Sequence, residues 1–175
     1  MGLRTELGIR PPGRSPAGRA IRWTAGTTPG AWVLARTLRH LDRATLALTR
    51  GRITVSDGLA GVPSVFLTTT GARTGQPRTT QLVAVPFGDD DLAVIGSNFG
   101  HRSKHPGWVH NLAADPHCTA GYGERRAPVV AREVTGAEAE QVWASGRAVY
   151  RGFATYPAMA GERQIRVFVL EPAAR

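Results

Sequence analysis

The chain has one cysteine, one lysine and no long apolar run. With Cys118 as the single cysteine among 175 residues, an internal disulfide is excluded and an oxidised secreted scaffold is not indicated. No stretch approaches the roughly 20 apolar residues that cross a bilayer, and the first 20 residues lack the apolar core of a signal peptide. We therefore expect a cytoplasmic protein. Because Cys118 lies in a strand-like sequence, we interpret it as a small buried side chain rather than a reactive thiol.

Several familiar motifs are also missing. No Gly-x-Gly-x-x-Gly sequence opens a helix, and the Gly-Lys-Ser/Thr ending of a nucleotide-binding loop is absent, which argues against a dinucleotide fold and a P-loop. Cysteine and histidine do not cluster at zinc spacing. Although His101, His105 and His110 lie close together in the sequence, no carboxylate accompanies them at helical spacing, so we predict no metal site.

Positive charge is concentrated towards the N-terminus. The formal net charge is +9, and residues 1–50 hold nine arginines against Glu6 and Asp42. Such a segment either approaches anionic lipid or nucleic acid or is a solvated leader. Because residues 51–175 are nearly balanced in charge, a nucleic-acid-binding function is the weakest alternative, and we predict no nucleic-acid partner.

Composition and residue pattern divide the chain into three parts. Residues 1–27 are rich in Gly, Pro and Arg, and we expect them to be disordered or loosely packed. Residues 28–50 are predicted to form an amphipathic helix that packs on the core or, alternatively, makes a peripheral membrane contact. Residues 60–175 alternate short strands, tight turns and two or three helices, which favours an α+β barrel. Within this part, strands are predicted at 64–70, 78–87, 92–97, 118–122, 127–134 and 164–170, and helices at 106–114 and 137–149.

A first stretch with chemical character joins two predicted strands at residues 68–80. It contains Gly71, Gly75, Arg73, Arg78 and several threonines. Glycines can turn backbone N–H groups towards an anion, and hydroxyls and guanidiniums add directed donors. The stretch therefore suits a phosphate, although a plain polar hairpin explains the pattern equally well.

A second stretch runs from the end of a strand into a helix, over residues 95–112. Its loop holds Lys104, the only lysine, and the helix begins near Pro106. A helix N-terminus and a lysine both favour a carboxylate or a phosphate. Trp108 offers a flat face for a ring system or, more commonly, is a core residue.

A third stretch places aromatic residues at intervals of three. Tyr150, Phe153 and Tyr156 would share one face of a helix. A tyrosine hydroxyl can donate a proton to a substrate anion. The alternative interpretation is an aromatic stripe of the core.

These stretches, in this order, resemble the deazaflavin-dependent nitroreductase family of F-420-dependent split-barrel oxidoreductases. The resemblance covers residues 60–172 and rests on Thr-Thr-Thr-Gly-x-x-x-Gly-x-Pro-Arg followed by Lys-x-Pro-x-Trp-x-x-Asn-Leu. It implies an α+β split β-barrel (flavin-reductase/pyridoxamine-oxidase-like) with an N-terminal helix and inserted helices. It also implies that reduced coenzyme F-420 donates a hydride to a quinone, a nitroaromatic or another electron-poor hydrophobic acceptor.

The resemblance also implies roles for individual residues. Those implied to bind the cofactor are Arg73, Thr74, Gly75, Gln76, Pro77, Arg78, Thr79, Thr80, Ser97, Asn98, Lys104, His105, Pro106, Trp108 and Asn111. The residues from Arg73 to Arg78 would hold the phosphate and polyglutamate tail, while Thr79 and Thr80 would line the deazaflavin. Ser97, Tyr150 and Tyr156 are implied to face the substrate as catalytic residues.

Other functions remain compatible with the same barrel. Flavin mononucleotide or haem binders share this architecture, and fold alone does not fix function. A non-catalytic carrier of a cofactor or lipid would also use the barrel without turnover. Related split barrels often pair, so a homodimer is a further expectation.

Overall fold

The computed structural model describes residues 2–9, 62–100 and 103–173. The predicted helix at 28–50 lies outside these residues. In chain order the elements are α1 (Leu3–Leu7), β1 (Ser64–Thr70), β2 (Pro77–Val83), β3 (Val85–Phe87), β4 (Asp91–Ile95), α2 (Gly107–Ala114), β5 (His117–Tyr122), β6 (Arg125–Val134), α3 (Gly136–Val149), α4 (Tyr156–Ala160) and β7 (Val167–Pro172), with 3₁₀ turns at Asn98–Gly100 and Arg151–Ala154. None of the helices within the described ranges is long and apolar enough to cross a membrane.

All strands of the described chain join one antiparallel sheet in the order β2-β1-β5-β6-β7-β4-β3. Only Ala84 separates β2 from β3, so the two strands at the ends of this order are neighbours in the chain. The sheet must therefore curl until its edges approach each other. This is the predicted split β-barrel. The predicted strand 78–87 is broken in two at the fully buried Ala84.

The inner face of the curled sheet forms the larger part of the core. Side chains alternate between the two faces of a strand, and Leu92, Val94, Phe168 and Leu170 point inwards. Helices α1 and α2 pack against the same face. Their buried side chains are Leu3, Leu7, Trp108, Val109 and Leu112.

The outer face of β3, β4 and β7 is covered by α3. Ala93, Ile95 and Val169 pack there against Val142 and Trp143 of the helix. Since successive residues of a strand face opposite sides, β4 and β7 each contribute to both cores, and their sequences are continuous apolar runs. The aromatic residues of the third stretch belong to this outer core.

The first residues of the chain correct one expectation. Residues 3–7 form a packed helix rather than a disordered leader, because Leu3 and Leu7 are fully buried in the inner core. The Arg4 backbone N–H donates to the Asp90 carbonyl at 2.9 Å, and Arg125 donates to the Glu6 carbonyl at 3.3 Å. Residues 10–27 of the predicted leader lie outside the described chain.

Cys118 on β5 lies partly buried against the inner core. Burial, reinforced by the negative charge of Asp115, raises the pKa of its thiol to about 12. Since only the thiolate reacts, we expect iodoacetamide at pH 8 to alkylate Cys118 about 1,000-fold more slowly in the folded protein than after denaturation in urea. Mass spectrometry of both samples measures this, and similar rates in the two would contradict it.

Candidate functional site

The hairpin turn between β1 and β2 is closed by its own backbone. The Gly71 N–H donates to the Gln76 carbonyl at 2.9 Å, and the Gly71 carbonyl accepts from Thr74 at 3.1 Å and Gly75 at 2.8 Å. Gly75 has a φ of +66°, which favours glycine. A Cβ on Gly71 would lie 3.0 Å from the Gln76 carbonyl oxygen, so the turn would have to shift slightly to accept a side chain there.

The backbone donors of this turn are directed into the protein. The Ala72 N–H donates to Asn111 Oδ1 at 3.0 Å, and the Gln76 N–H donates to Thr74 Oγ1 at 3.4 Å. Together with the bonds around Gly71, these contacts engage the N–H groups that we expected to face an anion. That expectation is therefore wrong for these groups, because the turn uses them to hold its own shape.

The side chains of Arg73 and Arg78 are the cationic groups of the turn, and both residues are exposed. Arg78 is paired with Thr69 of β1, and its Cγ lies 3.6 Å from the position of a Cβ on Gly71. Its aliphatic part thus follows the turn while its guanidinium reaches solvent. Arg73 is at the tip. Two guanidiniums at one hairpin end favour an anionic ligand that reaches them from outside.

Asn111 braces the turn from helix α2. Its Nδ2 donates to Thr69 Oγ1 at 2.9 Å, and its Oδ1 accepts from the Ala72 N–H at 3.0 Å. The two ends of the amide thus connect α2 with the end of β1 and the first residue of the turn. The sequence pointed to Asn111 as a cofactor contact, and the structure gives it these bracing bonds.

We expect Asn111→Ala to loosen the turn without unfolding the barrel. The variant loses two hydrogen bonds, which should lower the free energy of unfolding by about 1–2 kcal/mol and speed amide exchange at residues 71–76. Urea denaturation and exchange mass spectrometry measure the two effects. His110→Ala on the same helix, where His110 is exposed, is the control. Unchanged exchange in the turn would contradict the bracing role.

Thr79 and Thr80 do not line a common surface. Thr79 Oγ1 lies 2.8 Å from Thr68 Oγ1 on the outer face of the sheet, and strand alternation places Thr80 on the opposite face with Arg78. A flat ring against one face of β2 contacts only one of these threonines. This limits the expectation that both line the deazaflavin.

The outer face of β2 leads from the turn to the aromatic cluster. Alternation places Thr79, Gln81 and Val83 on this face, where Gln81 Nε2 donates to Ser64 Oγ at 3.2 Å. At the end of the strand, Val83 packs against the same buried residues, Val62 and Val149, as Tyr150 does. At about 3.3 Å per residue, the path from Thr79 to Val83 is about 13 Å long.

Ser97 and Asn98 follow the end of β4, and the loop after them carries Lys104 and His105. Ser97 is 8% exposed, and Asn98 Nδ2 donates to the Lys104 carbonyl at 3.0 Å. Asn98 and Phe99 have φ values of +47° and +52°, which are uncommon for residues other than glycine. His105 is half-buried and Lys104 is exposed. This segment therefore combines a strained turn with an exposed cation.

Trp108 lies in helix α2, and Pro106 is the residue immediately before this helix. The Trp108 ring is 4% exposed and meets the Phe168 ring edge to face at 5.7 Å, which favours the core interpretation of this residue. Pro106 precedes the first helical residue, and its carbonyl accepts from the Val109 N–H at 3.1 Å. The helix thus begins one residue later than predicted.

The aromatic cluster forms without a continuous helix. The backbone of Tyr150 is extended, and a 3₁₀ turn follows it. Because a 3₁₀ turn has three residues per turn, it brings side chains three residues apart onto the same side of the chain. Ring centroids of Tyr150, Phe153 and Tyr156 lie 5.5–6.2 Å apart. The hydroxyls of the two tyrosines are 3.2 Å apart. Burial raises the pKa of both hydroxyls above the usual value.

The second and third stretches meet at Tyr156. Its ring contacts the exposed Phe99 ring edge to face at 6.4 Å. Gly100 lies so close to helix α4 that a Cβ on it would be 2.6 Å from the Cβ of Met159. Arg163, which the sequence did not single out, donates to the Ser97 carbonyl at 2.6 Å. A lone arginine in a loop carries no pattern by which it could have been found.

Comparisons with known proteins identify the family and the fold of the chain. The profile of the F420H(2)-dependent quinone reductase family matches residues 39–172. An F420H(2)-dependent quinone reductase of Mycobacterium tuberculosis is 46% identical over 98 residues, which make up 55% of this chain and 63% of that protein. The chain therefore spans less than two thirds of the length of this curated relative.

Two solved structures share the fold. The F420-H2 dependent reductase FDR-A is 34% identical with a TM-score of 0.55, covering 62% of this chain and 93% of that one. A domain-swapped dimer is 32% identical with a TM-score of 0.58, covering 82% of this chain and 100% of that one. Because the family profile spans most of the sequence and these structures share its fold, the chain belongs to the F420H(2)-dependent quinone reductase family.

Proposed function

We propose that this protein is an oxidoreductase that uses reduced F-420 to reduce quinones, with nitroaromatic and other conjugated electron-poor compounds as further acceptors. The observation that carries the proposal is the path along the outer face of β2. It begins at the hairpin end with the exposed Arg73 at its tip, where Arg78 lies on the opposite face of β2, and it ends at the partly buried hydroxyl pair of Tyr150 and Tyr156. On this proposal, one strand would join an anion site to a proton-donor site.

The residues present fit the chemistry of F-420. Its phosphate and polyglutamate tail needs cationic donors, which Arg73 and Arg78 supply at the hairpin end, with exposed Lys104 as a third cation. Thr79 and Gln81 offer polar groups on the proposed path. When bound, the reduced cofactor supplies a hydride, and the protein supplies position and electrostatics.

The tyrosine pair would neutralise the negative charge that the acceptor gains. A quinone that has gained a hydride carries negative charge on oxygen and requires a proton, which a neutral phenol can donate. The contact between the two hydroxyls lets one donate to the other, so Tyr156 would orient Tyr150 or replace its proton. Ser97, close to the same segment, would add a further hydroxyl.

The turnover test mixes the purified protein with reduced F-420 and menadione and follows cofactor oxidation by absorbance. We expect cofactor oxidation well above the protein-free rate. When reduced flavin mononucleotide replaces reduced F-420, we expect the protein to add nothing to the protein-free rate. Tight binding of F-420 without turnover would instead support a carrier. Tight binding of flavin mononucleotide alone would support the flavoprotein alternative.

We expect Tyr150→Phe to lower kcat for menadione about 100-fold, because general acids typically contribute that much or more, with the Kd of F-420 little changed. Since burial raises the pKa of Tyr150 and Tyr156 above the usual value of about 10, both phenols should stay protonated to about pH 9, and their ionisation should not lower the rate between about pH 7 and 9. Steady-state kinetics across that range measure both effects. Tyr122→Phe, on β5, is the control, and an unaltered kcat in Tyr150→Phe would contradict the role.

A further inference from the structure

Arg163 lies in the loop between α4 and β7 and contacts three parts of the second stretch. Its Nη2 donates to the Ser97 carbonyl at 2.6 Å, and its Nη1 donates to the Gly96 carbonyl at 3.3 Å. The same Nη1 lies 3.5 Å from His105 Nδ1. One guanidinium therefore joins the end of β4 to the loop that precedes α2.

The contacts require the shape of a guanidinium. Its planar fork presents two nitrogens in fixed positions, whereas a lysine ammonium is a single point of charge on a flexible stem. Gly96 on the β4 side is already confined, because its N–H donates to the Arg166 carbonyl at 2.8 Å and a Cβ would lie 2.8 Å from Val109. The residue that Arg163 fixes in addition is Ser97.

Helix α4 holds the same segment from the other side. Tyr156 contacts Phe99, and Met159 packs against Gly100. The Gly100 N–H donates to the same Ser97 carbonyl that Arg163 contacts, at 2.9 Å. The segment 97–100, with its three residues of positive φ, is thus contacted both by α4 and by the loop that follows α4.

We propose that Arg163 is a positioning residue that fixes Ser97 relative to Tyr156 and so orders the acceptor side of the site. This inference rests on the proposed function. Arg163 does not need to touch the acceptor, because its contacts are with the backbone of the segment that carries Ser97. Although Ser97 and His105 are also implied to contact the cofactor, the cationic residues proposed to hold its tail, Arg73 and Arg78, lie outside the segment that Arg163 holds. The acceptor step should therefore depend on Arg163 more strongly than the binding of F-420 does.

The test uses Arg163→Ala and Arg163→Lys in the full chain, with Arg147→Ala on α3, an exposed residue, as the control. We expect kcat/KM for menadione to fall about 10- to 100-fold in Arg163→Ala, as misplacement of site groups produces, while the Kd of F-420 changes less than about 3-fold. Arg163→Lys should recover part of the loss. Added methylguanidine should raise the rate of Arg163→Ala several-fold but leave the wild type and Arg147→Ala unchanged.

A second readout needs no cofactor. Amide exchange at residues 97–100 of the ligand-free protein should be about 10-fold faster in Arg163→Ala and partly restored in Arg163→Lys, with exchange in α3 unchanged. Unaltered exchange there, an unaltered kcat/KM, or equal losses of F-420 and menadione affinity would each overturn the inference. If Arg163→Ala fails to fold, Arg163→Lys decides by the same criteria. Absence of turnover by the wild type would overturn the proposed function instead, and exchange would still report whether Arg163 fixes the segment.

Discussion

The double variant Arg73→Ala/Arg78→Ala should bind F-420 about 100-fold more weakly than the wild type. Each guanidinium would contribute charge-assisted hydrogen bonds of about 1.5–3 kcal/mol to an anionic tail, and exposure to solvent reduces that contribution. Most backbone N–H groups of the turn already donate hydrogen bonds within the protein, so the backbone offers little to replace the lost side chains. Fluorescence titration of the cofactor at two salt concentrations measures the effect, with weaker salt dependence expected in the variant.

A matched control separates the local effect from the loss of net charge. Arg125→Ala/Arg126→Ala also removes two positive charges, but from the β5–β6 hairpin of the same sheet. We expect its Kd for F-420 to stay within about 3-fold of the wild-type value. Similar Kd values for the two double variants would show that overall charge, rather than the β1–β2 turn, attracts the cofactor.

The second large effect concerns stability. We expect Leu3→Ala/Leu7→Ala to lower the free energy of unfolding by about 5 kcal/mol or more, since each buried Leu→Ala change costs about 2–5 kcal/mol. Both side chains are fully buried in the inner core. Because a whole domain is stabilised by about 5–15 kcal/mol, the variant should unfold at a much lower urea concentration than the wild type.

The control for this prediction lies on the same short helix. Thr5 is exposed between the two leucines, so Thr5→Ala should change the free energy of unfolding by no more than about 0.5 kcal/mol. Urea denaturation followed by tryptophan fluorescence compares the three proteins. A loss below about 1 kcal/mol in the double leucine variant would contradict the packing of α1 against the barrel.

The sequence was informative wherever the signal is local. β1 has the bounds that were predicted, and α2 differs by one residue, because strand alternation, turn glycines and Pro106 act on their own neighbours. The aromatic contacts were also predicted from a spacing of three. The continuous helix was not correct, since a 3₁₀ turn satisfies the same spacing.

Features that depend on tertiary contacts could not be predicted. Helix α1 could not be predicted, because two leucines before a Gly- and Pro-rich stretch are too few to indicate a helix. The helix is stabilised by the packing of these leucines against the inner core of the barrel. The opposite faces of Thr79 and Thr80 do follow from strand alternation alone, but only the pairing of β2 with β1 shows which of them is on the outer face. Arg163 is far from Ser97 in the sequence, and only the return of the chain from α4 to β7 brings it close.

The central claim is that the β1–β2 turn binds the anionic tail of F-420. The most direct test titrates the wild-type protein with F-420 and, in parallel, with the same deazaflavin chromophore lacking its phosphate and polyglutamate tail. We expect the intact cofactor to bind about 100-fold more tightly, and this difference to disappear in Arg73→Ala/Arg78→Ala. Equal affinities of the wild type for the two ligands would contradict the claim.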